Sequence, residues 1–155
     1  MRRLIIAVAS VGYAGFSRRA PGTVGTAVGI LVYLLYSPFP PLLYLLSTGA
    51  LFFLAAWISA RAEALLGQRD SQKIVIDEVT GYLIAMAFLP CTAWSMAGGF
   101  LFFRVLDIIK APPANWINRE MKGGWAVVLD DAVAGVYANV LLRLTAVFYP
   151  GIFSA

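Results

Sequence analysis

Leu42 to Ala60 reads LLYLLSTGALFFLAAWISA, nineteen residues without one charged side chain. A helix needs about 20 apolar residues to cross the hydrocarbon of a bilayer, so this stretch predicts a membrane-crossing helix. Turn-forming Ser37-Pro38-Phe39-Pro40-Pro41 precedes it and Arg61 follows it. The rest of the chain has the same character: 61% of its 155 residues are hydrophobic, 13% are charged, and the mean hydropathy is +0.80. A soluble domain carries about 25% charged residues to dress its surface, and this chain does not have them.

Working outward, the charges gather in three zones: Arg2 to Arg19, Arg61 to Glu78, and Arg104 to Asp131. Uncharged turns separate them, at residues 37–41, at Leu89-Pro90-Cys91-Thr92 and at the tail Tyr149-Pro150-Gly151. One crossing between each zone and each turn places every basic loop on the same side, as the positive-inside rule requires. The expectation is an all-α fold: a compact multi-helix integral membrane bundle, a single domain over 1–155, with about five membrane segments, a cytoplasmic N-terminus and an outer C-terminus. The segments run Gly25 to Tyr36, Leu42 to Ala60, Val79 to Leu89, Ala93 to Asp107 and Ala132 to Phe148. The shorter ones must begin inside the charged zones or thin the bilayer.

Gly25, Gly29, Gly49, Gly81, Gly98, Gly99 and Gly135 recur along these segments, which suits close helix approach in lipid. Arg143 lies well into the last segment, against the charge rule, and is expected to snorkel or to pair with an acid. Met1-Arg2-Arg3 ahead of Leu4 to Val11 imitates a signal peptide. No clear cleavage site follows between Gly12 and Arg19, so the segment is expected to be retained. The net charge is +4, yet no basic run is interleaved with aromatics. The cations therefore read as topology signals and lipid head-group contacts, with the bilayer as partner and no nucleic acid.

The chain has no histidine. That removes histidine-nucleophile phosphatases and Ser-His-Asp hydrolases together. The one cysteine, Cys91, is followed by Thr92-Ala93-Trp94-Ser95-Met96-Ala97, without the arginine that closes a cysteine phosphatase loop, and reads as a packing residue. Carboxylates, a few cations, hydroxyls and backbone amides are left to carry chemistry.

Five of the eight acids, Asp77, Glu78, Asp107, Asp130 and Asp131, lie at the charged-side ends of three apolar segments. Carboxylates there are costly unless paired or metal-bound, so they are candidate metal ligands. Helix capping is the competing reading, although it requires one acid per helix and not adjacent pairs on two. The pairs echo one another: Ile74-Val75-Ile76-Asp77-Glu78-Val79-Thr80-Gly81-Tyr82 matches Val127-Val128-Leu129-Asp130-Asp131-Ala132-Val133-Ala134-Gly135-Val136-Tyr137 in apolar triplet, acid pair, glycine and tyrosine. Neighbouring side chains diverge by about 100° around a helix, so both acids of one pair are not expected on one ion. A hard, oxygen-only ligand set favours Mg²⁺, with Mn²⁺ as a substitute.

Arg104, Asp107 and Lys110 recur every third residue, which places them along one helical stripe, and Pro112 and Pro113 end that helix. The stripe reads equally as a salt-bridged surface or as cations for a phosphate group. Gly22-Thr23-Val24-Gly25-Thr26 after Ala20-Pro21 reads as a flexible turn that opens the first segment. Its amides can cradle an oxyanion, or a threonine can simply cap the helix. Lys122-Gly123-Gly124-Trp125 is a second loop able to approach a ligand, with interfacial Trp116 nearby.

In this order the segments resemble the phosphatidylglycerophosphatase A family of bacterial membrane lipid phosphatases. The matching stretches are APGTVGT (Ala20 to Thr26), DEVTG (Asp77 to Gly81), FRVLDIIKAPP (Phe103 to Pro113) and GGWAVVLDDAVAG (Gly123 to Gly135). The chain departs from the family pattern at Ala111, Ala126 and Thr26, none of them an acid. The resemblance implies Mg²⁺-dependent hydrolysis of the terminal phosphate of phosphatidylglycerophosphate, a phospholipid substrate, at the cytoplasmic face of the bacterial inner membrane. On that reading Asp77, Glu78, Asp107, Asp130 and Asp131 hold one or two Mg²⁺ ions, with Asp130 or Glu78 as base. Arg104 and Lys110 balance charge on the phosphoryl oxygens, joined by Gly22, Thr23 and Gly25. The usual D-x-D nucleophile is absent, which favours direct attack by water. Another Mg²⁺-dependent lipid phosphotransfer enzyme and a divalent-cation transporter are the competing functions; the transporter predicts acids near mid-membrane.

The topology has a direct check. Cysteine introduced at Ser37 or at Ser71 and labelled from outside is expected to add signal over the parent chain only at Ser37. The opposite pattern overturns the orientation.

Overall fold

The computed structural model describes every residue except Asp70, Lys122, Pro150, Ser154 and Ala155. Lys122 of the second loop and Pro150 of the tail turn therefore lie outside the described residues. Seven α-helices and no strand occur among the described residues: α1 (Arg2–Ala9), α2 (Pro21–Tyr36), α3 (Pro41–Leu66), α4 (Ile76–Ala85), α5 (Ala93–Ile109), α6 (Ala114–Glu120) and α7 (Gly124–Phe148). A short 3-10 turn, Ala14–Phe16, links α1 to α2.

The boundaries follow local chemistry. Proline stands at the first position of α2 and α3, where its missing N–H is no loss. Thr92 caps α5 by accepting from the Ser95 amide at 3.1 Å. Gly67 ends α3 in the left-handed region at φ 66°.

α3 and α7 are long and apolar enough to cross a membrane, with mean hydropathies of 1.9 and 1.5. Their 26 and 25 residues span about 39 and 37 Å at the helical rise. Only 33% of the apolar window of α3 is buried, the reverse of a soluble core helix. Leu42, Leu46, Phe53 and Trp57 of α3, Leu31 and Leu35 of α2, Leu101, Val105 and Ile108 of α5, and Val140 and Val147 of α7 all lie exposed. Soluble monomers rarely present apolar surface on that scale, and the protein is a membrane-associated helical bundle.

α4 is the central helix, packed against α7, α2, α3 and α5. At ten residues it covers about 15 Å, and its chain continues as irregular backbone to Thr92, with Phe88, Pro90 and Cys91 exposed. Such backbone survives away from water only when protein satisfies it. Tyr44 donates to the Leu83 carbonyl (2.6 Å), Tyr33 to Leu89 (3.1 Å), and Asn139 to both Ala85 (2.8 Å) and Ala87 (3.0 Å). Arg143 completes the set with one bond to Asn139 (2.8 Å) and one to the Ala87 carbonyl (3.0 Å). Among the described residues the exposed Arg143 meets no acid: it binds Asn139 and the Ala87 carbonyl, just beyond the end of α4.

The expected segments lie within α2, α3, α5 and α7, while α4 stops at Ala85, short of Leu89. Two helices were not anticipated. α1 packs against α3 through Ile5, Val8 and Ala9, and α6 packs against α7. α7 also begins at Gly124, ahead of Ala132, so Asp130 and Asp131 sit inside a helix rather than at its start.

Glycine decides how closely α4 and α7 approach. A Cβ at Gly135 would collide with the Gly81 carbonyl oxygen, and one at Gly81 would come within 2.9 Å of the Asp131 carbonyl oxygen. Gly49, in contrast, has nothing within 4 Å. Gly135→Ala is expected to destabilise the protein by about 1–3 kcal/mol through overpacking, seen as a lower melting temperature in detergent. Gly49→Ala should melt no lower than the parent. Equal melting of the two variants would show that the crossing tolerates separation.

Candidate functional site

The Gly81–Gly135 crossing sets the two acid pairs side by side. Ligand oxygens of Asp77, Glu78 and Asp131 all lie within 4.8 Å of one another. Asp77 and Asp131 are buried, and the stem of Glu78 is partly exposed. One oxygen of each, Asp77 Oδ1, Glu78 Oε2 and Asp131 Oδ2, is nevertheless out of reach of water and has no hydrogen-bond partner. Asp77 and Glu78 lie in the first turn of α4, where the helix dipole favours them, but no side chain caps that helix, and the acids of α7 lie beyond its first turn.

α5 adds a carboxylate and a cation. Asp107 stands against Asp131 and accepts a 2.5 Å bond from Arg104 Nη1. Arg104 keeps its buried Nε–H unpartnered. Lys110 does not continue the stripe. It takes a left-handed conformation (φ 50°) that ends α5, and its ammonium lies 2.5 Å from Asp130 Oδ2. Asn118 of α6 donates to the same oxygen at 3.1 Å. Adjacent acids on α7 diverge as helix geometry requires, Asp131 joining the cluster and Asp130 holding Lys110; the pair on α4 does not, since oxygens of Asp77 and Glu78 both fall in the cluster, against the expectation that one pair would not share an ion.

The echoed tyrosines position α5. Tyr82 donates to the Met96 carbonyl at 3.0 Å, and Tyr137 to the Pro112 carbonyl at 2.7 Å. One grips the first turn of α5 and the other the turn after its end.

The Gly22 motif forms the first turn of α2 and not a flexible loop. A Cβ on Gly22 would sit 2.5 Å from Glu78 Oε1 and 3.0 Å from both terminal nitrogens of Arg104, so glycine allows the backbone to close over the acids. Thr23 does not line the cavity, and Gly25 packs against the Val75 side chain.

Together these groups line a cavity of about 490 Å³. Gly22, Asp77, Glu78, Arg104, Asp107, Lys110, Asp130 and Asp131 all reach it. Sequence reasoning missed Ser71 and Gln72, which also line it, and Asn118. Their neighbours in sequence carry no signal for those roles; chain folding alone brings them there.

Burial is the main electrostatic effect. It pushes Asp77 well above the ordinary carboxylate range, and the charge and hydrogen bond of Glu78 and the charge of Asp130 push the same way. Glu78 is pushed up from 4.5 to about 8, again chiefly by burial; the hydrogen bond with Asp77 opposes this, and the charges of Asp131 and Asp107 add to it. Several carboxylates that cannot all stay ionised in a dry site call for a cation. The three orphaned, all-oxygen ligands fit a hard divalent ion such as Mg²⁺, which binds a few carboxylates and keeps several waters.

Comparison with known proteins agrees in extent and kind. The family profile described as Phosphatidylglycerophosphatase A matches residues 7–146. A protein of Escherichia coli named phosphatidylglycerophosphatase A is 33% identical over 148 residues, 94% of this chain and 86% of its own length. One of Haemophilus influenzae with the same name is 31% identical over 136 residues, 86% of this chain and 83% of its own. A third, from Bacteroides thetaiotaomicron, provisionally named a phosphatidylinositol-3-phosphatase, is 33% identical over 138 residues, 84% of this chain and 86% of its own. No solved structure matches significantly.

The acid cluster sets a pH signature. Glu78 releases its proton near 4.5 when unfolded and near about 8 when folded, so across that window the folded state holds the extra proton and stability falls as pH rises. In chelator, the melting temperature is expected to drop between about pH 5 and about pH 8, and Mg²⁺ should restore it at the alkaline end. A profile that is flat in chelator and unmoved by Mg²⁺ would contradict this electrostatic picture.

Proposed function

Because the chain belongs to the phosphatidylglycerophosphatase A family, we infer how its cavity performs the hydrolysis of that family. The protein removes the terminal phosphate of phosphatidylglycerophosphate, leaving phosphatidylglycerol and inorganic phosphate, a step of phospholipid biosynthesis. One observation carries the mechanism: orphaned carboxylate oxygens of Asp77, Glu78 and Asp131 share a cavity with the orphaned Nε–H of Arg104. Unsatisfied negative and positive groups side by side match a divalent ion and the phosphate it accompanies.

Asp77 and Asp131 would hold Mg²⁺ directly, with Glu78 and Asp107 beside them. Bound there, the ion supplies neutralisation of the phosphate and a lower pKa for the attacking water. Arg104, fixed by Asp107, directs its free N–H at a phosphoryl oxygen. Lys110, fixed by Asp130 and Asn118, supplies a second positive charge as the leaving oxygen gains electrons. Asp130 is occupied by Lys110 and Asn118, which leaves Glu78 as the stronger candidate for the base.

The first turns of α2 and α4, the last turns of α5 and the Asp130–Asp131 stretch within α7 meet at this one cavity, so α5 runs there in alternation with α2 and α4. With the basic zones, that alternation supports five crossings, a cytoplasmic N-terminus and an active site facing the cytoplasm of a bacterial inner membrane. A lipid substrate then presents its head group from the inner leaflet.

Purified protein is expected to release phosphate from phosphatidylglycerophosphate with Mg²⁺ and to stop in chelator. Asp77→Asn and Asp131→Asn should each lose about 100-fold or more in kcat, the scale on which preorganised electrostatic groups act, while folding persists. Full activity in both variants would exclude the acid cluster as the site.

A further inference from the structure

A second cavity, of about 350 Å³, adjoins the first and shares Pro21, Ser71 and Gln72 with it. Its chemistry is opposite. The acid-lined cavity holds five carboxylates, whereas no acid occurs among the described residues lining the second, and Arg18 and Lys73 do. Both cations are exposed, and neither forms an ion pair among the described residues.

The walls are held in place by backbone. Gly15 packs so tightly on the Lys73 carbonyl that a Cβ there would collide with it, and the Val75 amide donates to the Ala9 carbonyl at 2.9 Å. The Lys73 ammonium stands 5.4 Å from the centre of the Phe16 ring. Tyr13 and Phe16, both exposed, pack with ring centres 5.6 Å apart, a pairing suited to head-group depth.

Resting on the hydrolase reading above, we propose that this cavity holds the second phosphate of the substrate. Phosphatidylglycerophosphate carries two: the terminal monoester that is cleaved, and a phosphodiester one glycerol away on the acyl side. A monoester among the acids places the diester one three-carbon unit away, and the second cavity adjoins the first through Pro21, Ser71 and Gln72. The diester bears a single negative charge and needs no metal, so Arg18 and Lys73 match it. They are specificity-determining residues: they favour a lipid with a diester over one whose only phosphate is the monoester.

The test uses the full chain in mixed micelles, with Arg18→Gln, Lys73→Gln and the double variant. Each single variant is expected to raise KM for phosphatidylglycerophosphate by about five- to tenfold and the double by more, with little change in kcat, as for lost uniform binding. Inhibition by phosphatidylglycerol, which keeps the diester and lacks the monoester, should weaken by a similar factor. Phosphatidic acid, which has only the monoester, should change by less than about twofold as substrate or competitor. Arg61→Gln, whose guanidinium stacks on Trp57 at 5.2 Å outside the cavity, controls for general surface charge and should leave all three lipids unaffected. Equal losses on phosphatidic acid, an equal effect of Arg61→Gln, or unchanged KM would overturn the assignment. A parent protein that releases no phosphate from phosphatidylglycerophosphate would instead remove the hydrolase reading on which it rests.

Discussion

The contact between Gly81 of α4 and Gly135 of α7 is the constraint on which the site depends. With hydrogen at both positions the two backbones meet carbonyl against Cα, and no other residue leaves that room. In lipid, packing of this kind is a main source of helix association, because there is little hydrophobic drive between apolar helices. Each glycine lies four residues beyond the second acid of its pair or fewer, so the crossing that joins the helices also joins the carboxylates. The echo between the two segments thereby becomes functional: acids form the cluster, glycines form the crossing, and tyrosines hold α5 at both ends.

That arrangement makes α4 short, which creates a second problem away from the site. Its last carbonyls are left without helical partners, and an unsatisfied buried group costs several kcal/mol, about 2–7. Tyr33, Tyr44, Asn139 and Arg143 reach in from α2, α3 and α7 to satisfy them. The polar residues of the bundle interior are therefore divided by task. Those at one end carry the chemistry, and those at the other hold the central helix in place so that the chemistry stays aligned.

Carboxylates crowd together where burial raises the cost of ionising them, and two cations are held beside them by Asp107 and Asp130. Removing both a cation and a phosphate from water is unfavourable in isolation, yet each compensates the other and the protein's own orphaned groups. A cluster that burdens the empty fold in this way is the trade between stability and activity expected of a working site.

The sequence by itself determined the all-helical class, the membrane association and the five acids that line the cavity, because hydropathy and charge are local properties that add along the chain. The four ordered motifs also carried the family. Tertiary structure decided what depends on helix phase and on contacts between distant residues. Asp130 and Asp131 are neighbours in sequence, but a rotation of about 100° between them sends one to Lys110 and the other into the cluster. Lys110 leaves its expected stripe because it is itself the left-handed residue that ends α5. Asn118, Ser71 and Gln72 reach the cavity, and Arg143 finds the Ala87 carbonyl, only once α4, α6 and α7 have packed, since no local pattern encodes where a side chain ends its reach.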